Sequence, residues 1–304
     1  MKGTPMGYTL NSRKWEDSPK SAIDAALDMD ALFTPQVTGT ILPNGTVSDK
    51  TFTIYRELSN GEQVELNSGV RRGYHAESYH HLLEIAEAMF PNSTTGMQVY
   101  DEGAMLVFTQ QVAEPYTFGD GDLMVSNIMY TASLNSTLPS AATGFSFRPF
   151  CTNQLGLGQL QFSQKRTKNH DRLMFDKAKV MAEAAGQFDA LISNAKVLKG
   201  LRMDKFLLRR TLDEVAPLLD EEANAKARSH AEKRREGILY FYAEEVEKFG
   251  ENAWALYQAV QSYEFHTVAG SGKGTELKQV RVVTEPEKAQ RLTSLAEQVM
   301  LARV

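Results

Sequence analysis

Three dipeptides, Asn44-Gly45, Asn60-Gly61 and Asp120-Gly121, each sit between runs of alternating apolar residues. Such pairs supply the positive φ angles that tight hairpin turns need, so each is expected to reverse the chain between antiparallel strands. Three reversals commit the first half of the chain to an antiparallel sheet. Between the second and third, "HAESYHHLLEIAEAMF" drops the two-residue period, and Leu82, Ile85, Ala86 and Phe90 recur at helical spacing, which predicts one inserted helix. Strands are expected to resume in "MQVYDEGAMLVFTQQV", "DLMVSNIMYTAS" and "TGFSFRPFC".

From about Asn169 the pattern becomes helical. Met174, Ala178, Met181, Ala185, Phe188, Ile192 and Ala195 form one apolar stripe at steps of four and three, and Gly200 is placed to end that helix. A further helix is expected near Met203, interrupted or kinked at Pro217. Others should cover "ANAKARSHAEKRREGILYFYAEEVEKF" and "NAWALYQAVQSYEF", followed by a loop, "TVAGSGKGTE", a short extended piece, "LKQVRVV", and a last helix from about Pro286. Near the start, Ser18 and Pro19 stand where an N-cap and first helical residue belong. The expected fold class is α+β: an N-terminal arm with a short helix over 1–33, an antiparallel sheet with one inserted helix over 34–164, and a mainly helical region packed on the sheet over 165–304.

A chain of 304 residues with 42% hydrophobic residues can bury a sizeable core. Its one cysteine excludes an internal disulfide framework and a cysteine-based zinc site. The first residues lack the apolar run of a signal peptide, and no stretch of eighteen apolar residues occurs, so the expected location is the cytoplasm with no membrane contact. The net charge of −5 conceals an uneven distribution. Residues 1–164 carry 9 Lys/Arg against 17 Asp/Glu, residues 165–210 carry 12 against 5, and residues 211–304 carry 12 against 16. A basic island within an acidic protein is a place for a polyanion, since local charge attracts phosphates; a solvated helix face is the plainer alternative.

Specific catalytic motifs are weak. "AGSGKGT", Ala269 to Thr275, lacks the first glycine of a phosphate-binding P-loop and has Gly274 where Ser or Thr must hold magnesium; it reads as a loop. Glu77, His81 and Glu84 share a helical face at a spacing that could hold a metal ion, but no second ligand cluster accompanies them, and a polar helix face is the better reading. Cys151 has no Cys-His signature around it. On a strand it alternates to the face of Phe145 and Phe147, where a cysteine packs as a small hydrophobe, while Ser146, Arg148 and Phe150 take the other face. No catalytic residue, metal or cofactor is therefore expected.

The basic island does carry a recognisable chemistry. Lys165, Arg166, Lys168 and Arg172 lie between the last strand and the long helix, and Lys196, Lys199, Arg202, Lys205, Arg209 and Arg210 lie at its far end, with Arg148, Phe150 and Tyr130 as a nearby guanidinium and rings. Cations that track phosphates and aromatics that stack bases are what sequence-tolerant single-strand binding requires.

"FRPFCTNQL" and "NAWALYQAVQSYEFH" together resemble the phage/plasmid-like protein family, domain of unknown function 932. The family has an Arg-x-x-Cys-x-Asn strand end and, about a hundred residues later, a Trp-led helix ending in Tyr-x-x-His. Arg148, Cys151, Asn153, Trp254, Tyr257, Ala259, Val260, Tyr263 and His266 match, whereas Phe150, Gln258 and the "GSGKGT" loop depart from the pattern. The resemblance extends over roughly residues 18–295 and implies mobile-element DNA metabolism. The order of helix, antiparallel meander and long helix is similar to that of phage single-strand annealing proteins. That likeness implies a homo-oligomer binding single-stranded DNA, with Arg148, Lys165, Arg166, Lys168 and Arg172 on phosphates, Phe150 or Tyr130 supporting bases, and Lys199, Arg202, Arg209 and Arg210 extending the track. Cys151 would pack at the strand end and Asn153 would pin the turn from strand to helix; Trp254, Tyr263 and His266 would serve as core or subunit contacts. A non-enzymatic accessory protein that binds a host protein is the alternative.

Overall fold

The computed structural model describes residues 33–58, 60–76, 78–91, 93–148, 153–164, 176, 187–268 and 275–302. In chain order the elements are β1 (Gln36–Ile41), β2 (Val47–Glu57), β3 (Gln63–Arg71), α1 (Tyr79–Met89), β4 (Thr94–Tyr100), β5 (Met105–Gln111), β6 (Tyr116–Thr117), β7 (Leu123–Ser133), β8 (Ser140–Arg148) and β9 (Asn153–Gln164). The helical half follows as α2 (Gln187–Gly200), α3 (Lys205–Val215), α4 (Ala225–Phe249), α5 (Ala253–Ser262), a π-helical turn (Tyr263–Val268), α6 (Thr275–Thr284), α7 (Pro286–Ala289) and α8 (Arg291–Leu301). The class is α+β, with antiparallel sheets first and helices after.

All three Asn-Gly or Asp-Gly turns are hairpins, and they share one geometry. In each, the glycine has a φ of 81° or 82° and donates its N–H three residues back, to Leu42, Leu58 or Phe118. The preceding Asn44, Asn60 or Asp120 accepts the N–H two residues on, at 3.1, 2.9 and 3.1 Å. This is a three-residue loop closed by a left-handed glycine, with an Asx side chain substituting for a backbone acceptor.

The chain forms two compact units, residues 1–114, 126–144 and 159–185 in one, and 115–125, 145–158 and 186–304 in the other. The first contains the sheet β1-β2-β3 and much of a second sheet, ordered β4-β5-β7-β8-β9 with β6 paired to β7. "MQVYDEGAMLVFTQQV", expected as one strand, is itself a hairpin. Asp101 and Glu102 take φ of 51° and 54° and Gly103 takes 101°, so Tyr100 pairs with Met105. Any side chain at Gly103 would stand 2.8 Å from the Phe33 ring. β5 and β7 are buried along nearly all their length, and Phe108 and Tyr130, directly opposed in register, stack at 4.6 Å. The Tyr130 ring is thus core, closed to any nucleobase, and burial pushes its hydroxyl pKa far up. Ser133 ties the β7–β8 turn by donating to the Leu138 carbonyl and accepting the Leu138 N–H.

In the second unit every residue of α5 is buried. A helix apolar nearly all round must be enclosed, and α2, α4 and α8 pack against it while α3 packs on α8. Trp254 stacks on Tyr257 at 5.1 Å inside this core. α3 stops at Val215, two residues before Pro217, because the residue ahead of a proline is driven out of the helical region. "LKQVRVV", expected as extended, is helical within α6: its β-branched residues gave a strand signal, but Val280, Val282 and Val283 are buried by tertiary packing, which overrides propensity.

Candidate nucleic-acid interface

α3 begins at Asp204, whose carboxylate accepts the Leu207 N–H at 2.7 Å. With the cap fixed, the helical period sends Leu207, Leu212 and Val215 into the core with Thr211. The same period turns Lys205, Phe206, Arg209 and Arg210 outward, all exposed. Phe206 is 70% exposed. Arg209 and Arg210 stand three and four residues beyond it, one turn along the same face, and Lys205 precedes it. Arg202 is exposed just ahead of the helix, where its backbone forms an antiparallel bridge with Asn252. The neighbouring acid Asp213 lies 3.7 Å from Arg209, an exposed pair worth little in water. Lys205 in the first turn also opposes the helix dipole, which favours acids there. The result is an exposed aromatic ring on a helix, with two arginines one turn along the same face and Arg202 and Lys205 exposed just before it in the chain.

Arg148 and Lys199 have a different placement from the surface expected of them. Arg148 is 3% exposed. Its Nε donates to Asp122 Oδ1, its Nη1 donates to both oxygens of Glu245 at 2.8 and 2.7 Å, and its guanidinium lies 4.5 Å over the Phe249 ring. Trp254 Nε1 donates to the other Asp122 oxygen at 3.0 Å. Lys199 Nζ bridges Asp120 and Asp122, 3.0 Å from the latter, and sits over Phe118 and Phe249. The alternation of Ser146 and Arg148 against Phe145 and Phe147 pointed to a polar outer face. β8 is instead buried on both faces, so Arg148 meets carboxylates within the protein.

The electrostatics follow from burial. Desolvation raises the Glu245 pKa and the charge of Asp122 adds to it, while Arg148 pulls the other way without overcoming them. Desolvation also works to raise Asp120, but there the hydrogen bond and charge of Lys199 and the backbone N–H of Asp122 prevail and the pKa is lowered. Both Asp122 oxygens are already engaged by donors. The cluster therefore holds the third hairpin, the end of β8, and helices α2, α4 and α5 in register, and offers no idle base for catalysis.

Residues 70–296 match the sequence model described as domain of unknown function, DUF932. The chain belongs to the DUF932 family. No curated protein and no solved structure matches it. Within the DUF932 region, Trp254 is buried in the cluster just described, Tyr263 is half-buried in the π-helical turn, and the His266 ring lies edge-on to Phe265 at 5.0 Å. Asn153 opens β9. Phe150, Cys151, Lys165, Arg166, Lys168 and Arg172 lie outside the described residues, as does Glu77.

The metal reading rested on Glu77, His81 and Glu84. His81 and Glu84 form a hydrogen bond of 3.3 Å on the outer face of α1, and among the described residues no group of three or more His, Cys, Asp or Glu side chains is gathered to hold an ion. No described helix is long and apolar enough to cross a membrane.

Three residues that matter were not singled out in the sequence. Phe206 is camouflaged by the apolar Leu207 and Leu208 after it. Asp122 follows a turn glycine and reads as loop. Glu245 did leave a signal: Ile238, Tyr242, Glu245 and Phe249 are spaced by four, three and four, which puts a carboxylate inside an apolar stripe. An acid there needs a buried cation.

Proposed function

We propose that this DUF932 protein binds single-stranded DNA in a sequence-tolerant way through the face of Arg202, Lys205, Phe206, Arg209 and Arg210. The observation that carries the reading is Phe206, 70% exposed with two arginines one turn beyond it. A base can stack on the ring while the cations take the adjoining phosphates, an arrangement that ignores base identity. The biological setting that goes with it is strand annealing in the recombination of phage or plasmid DNA, performed by a homo-oligomer without a cofactor.

The test is fluorescence anisotropy of single- and double-stranded oligonucleotides over a salt series. Preferential single-strand binding that weakens steeply with salt is expected, because each neutralised phosphate releases counterions. No binding at low salt would refute the reading. A second reading, an accessory protein that docks on a host protein, draws support from exposed Leu218, Leu219 and Tyr240 at 56%, 44% and 62%. Nuclease-resistant capture of one defined host partner, with no oligonucleotide binding, would favour it.

A further inference from the structure

The second unit contains a cleft of about 440 Å³, within the size range of small-ligand sites. Five cations line it, Arg234 from α4, Lys278 and Arg281 from α6, Lys288 from α7 and Arg291 from α8. One carboxylate, Glu264, also lines the cleft, and it is already engaged. Its Oε1 accepts the Leu292 N–H at 2.8 Å; its Oε2 accepts the Thr293 N–H at 3.0 Å and the Thr293 hydroxyl at 2.6 Å. Glu264 thus caps the first turn of α8. Lys288 has a partner in Glu285 at 3.0 Å, but the lysine side chain is 80% exposed and the pair is weak.

Like charges drawn from four separate helices into one concavity repel each other, and a multiply charged anion relieves that repulsion. The cleft is also not purely polar. Tyr263 forms part of its wall, and this ring is held in place because Gly237 of α4 lies against it: a Cβ there would come within 2.8 Å of the ring. A fixed aromatic wall beside converging cations is the chemistry that recognises a planar base bearing a chain of phosphates.

We propose that this cleft binds a nucleoside polyphosphate, with the phosphates on Lys278, Arg281 and Arg291 and the base against Tyr263. The site is distinct from the α3 face and does not depend on single-strand binding there.

The experiment is isothermal titration of the full chain, at low salt, with ATP, tripolyphosphate and adenosine in turn. ATP should bind one to one, tripolyphosphate more weakly, and adenosine undetectably. The double variant Arg281→Glu/Arg291→Glu should lose ATP affinity by about 100-fold or more, since two charge-assisted contacts become repulsions. The neutral double variant Arg281→Gln/Arg291→Gln, with its melting temperature checked, should lose at least about tenfold and guards against misfolding. Absence of ATP binding, or binding unchanged in the Gln variant, overturns the site. Tripolyphosphate binding as tightly as ATP overturns the role of Tyr263 and the nucleoside. Displacement of ATP by a single-stranded oligonucleotide, with loss of oligonucleotide binding in the Gln variant, overturns the small-ligand assignment and makes the cleft part of a nucleic-acid surface.

Discussion

Arg148 Nη1 contacts both carboxylate oxygens of Glu245, at 2.8 and 2.7 Å, across 97 residues of chain. Each side chain is 3% exposed. The pair joins the end of a sheet strand to the C-terminal part of the longest described helix, and Asp122 joins it to the hairpin turn and to Trp254. The arginine of the strand-end motif is therefore a structural clasp. Its conversion to alanine, or that of Glu245, leaves a buried charge alone and should cost about 3–5 kcal/mol. Urea unfolding followed by Trp254 fluorescence, in a Trp15→Phe background, measures it. A loss below about 1 kcal/mol would mean that water reaches the pair and screens it.

The α3 face can be tested by charge. Reversing Arg202, Lys205, Arg209 and Arg210 to glutamate should abolish single-strand binding at moderate salt and leave the melting temperature within a few degrees, because all four are exposed. With four phosphates neutralised, the wild-type plot of log affinity against log salt should have a slope of about −3. A slope that stays unchanged in the variant would place the contacts elsewhere.

Phe206 separates stacking from charge. Phe206→Ala should leave stability within about 0.5 kcal/mol, as an exposed ring has little packing to lose. It should weaken oligonucleotide binding by about 1–3 kcal/mol at every salt concentration, shifting the salt plot without changing its slope. Equal affinities for wild type and variant would remove the ring from the interface.

Gly237 lies mid-helix, where glycine ordinarily costs about 1 kcal/mol relative to alanine. Here the sign should reverse. A Cβ would meet the Tyr263 ring at 2.8 and 2.9 Å, so Gly237→Ala should destabilise by about 1–3 kcal/mol through overpacking. Thermal melts decide between the two signs.

Burial raises the Glu297 pKa above its ordinary 4.5, against the hydrogen bond that Asn194 donates at 3.1 Å. The folded state then holds this proton more tightly than the unfolded chain does. Its contribution to stability is present in full below about pH 4.5 and is lost as pH rises through the folded pKa. Glu297→Gln should remove that loss, so the variant should be the more stable at pH 7 and gain nothing at pH 4. Urea midpoints at the two values check it, and a variant weaker at both would mean that the charged form is needed.

Local chemistry made much of the fold legible. Asn44-Gly45, Asn60-Gly61 and Asp120-Gly121 marked their turns because few residue pairs accept a left-handed backbone next to an Asx bond. The helical spacing of Leu82, Ile85 and Ala86 located α1, since one face of that helix is buried and the other exposed. The rule failed where both faces are covered. β8 has no outer face, so the alternation that placed Arg148 at the surface carried no information. In α6, valines favoured a strand locally, yet the tertiary burial of Val280, Val282 and Val283 is what decided the conformation.

The sequence by itself determined where the chain turns, that sheet precedes helix, and that a basic island lies between residues 165 and 210. Only tertiary structure decided which of the described cations are exposed. Arg148 and Lys199 meet Asp120, Asp122 and Glu245, residues distant in sequence, and desolvation binds them into a clasp. Arg202, Lys205, Arg209 and Arg210 meet solvent because the cap at Asp204 sets the rotation of α3 and its apolar residues claim the core. Charge is a property of the residue, but what a charge can bind depends on the partners that folding brings within a few ångströms of it.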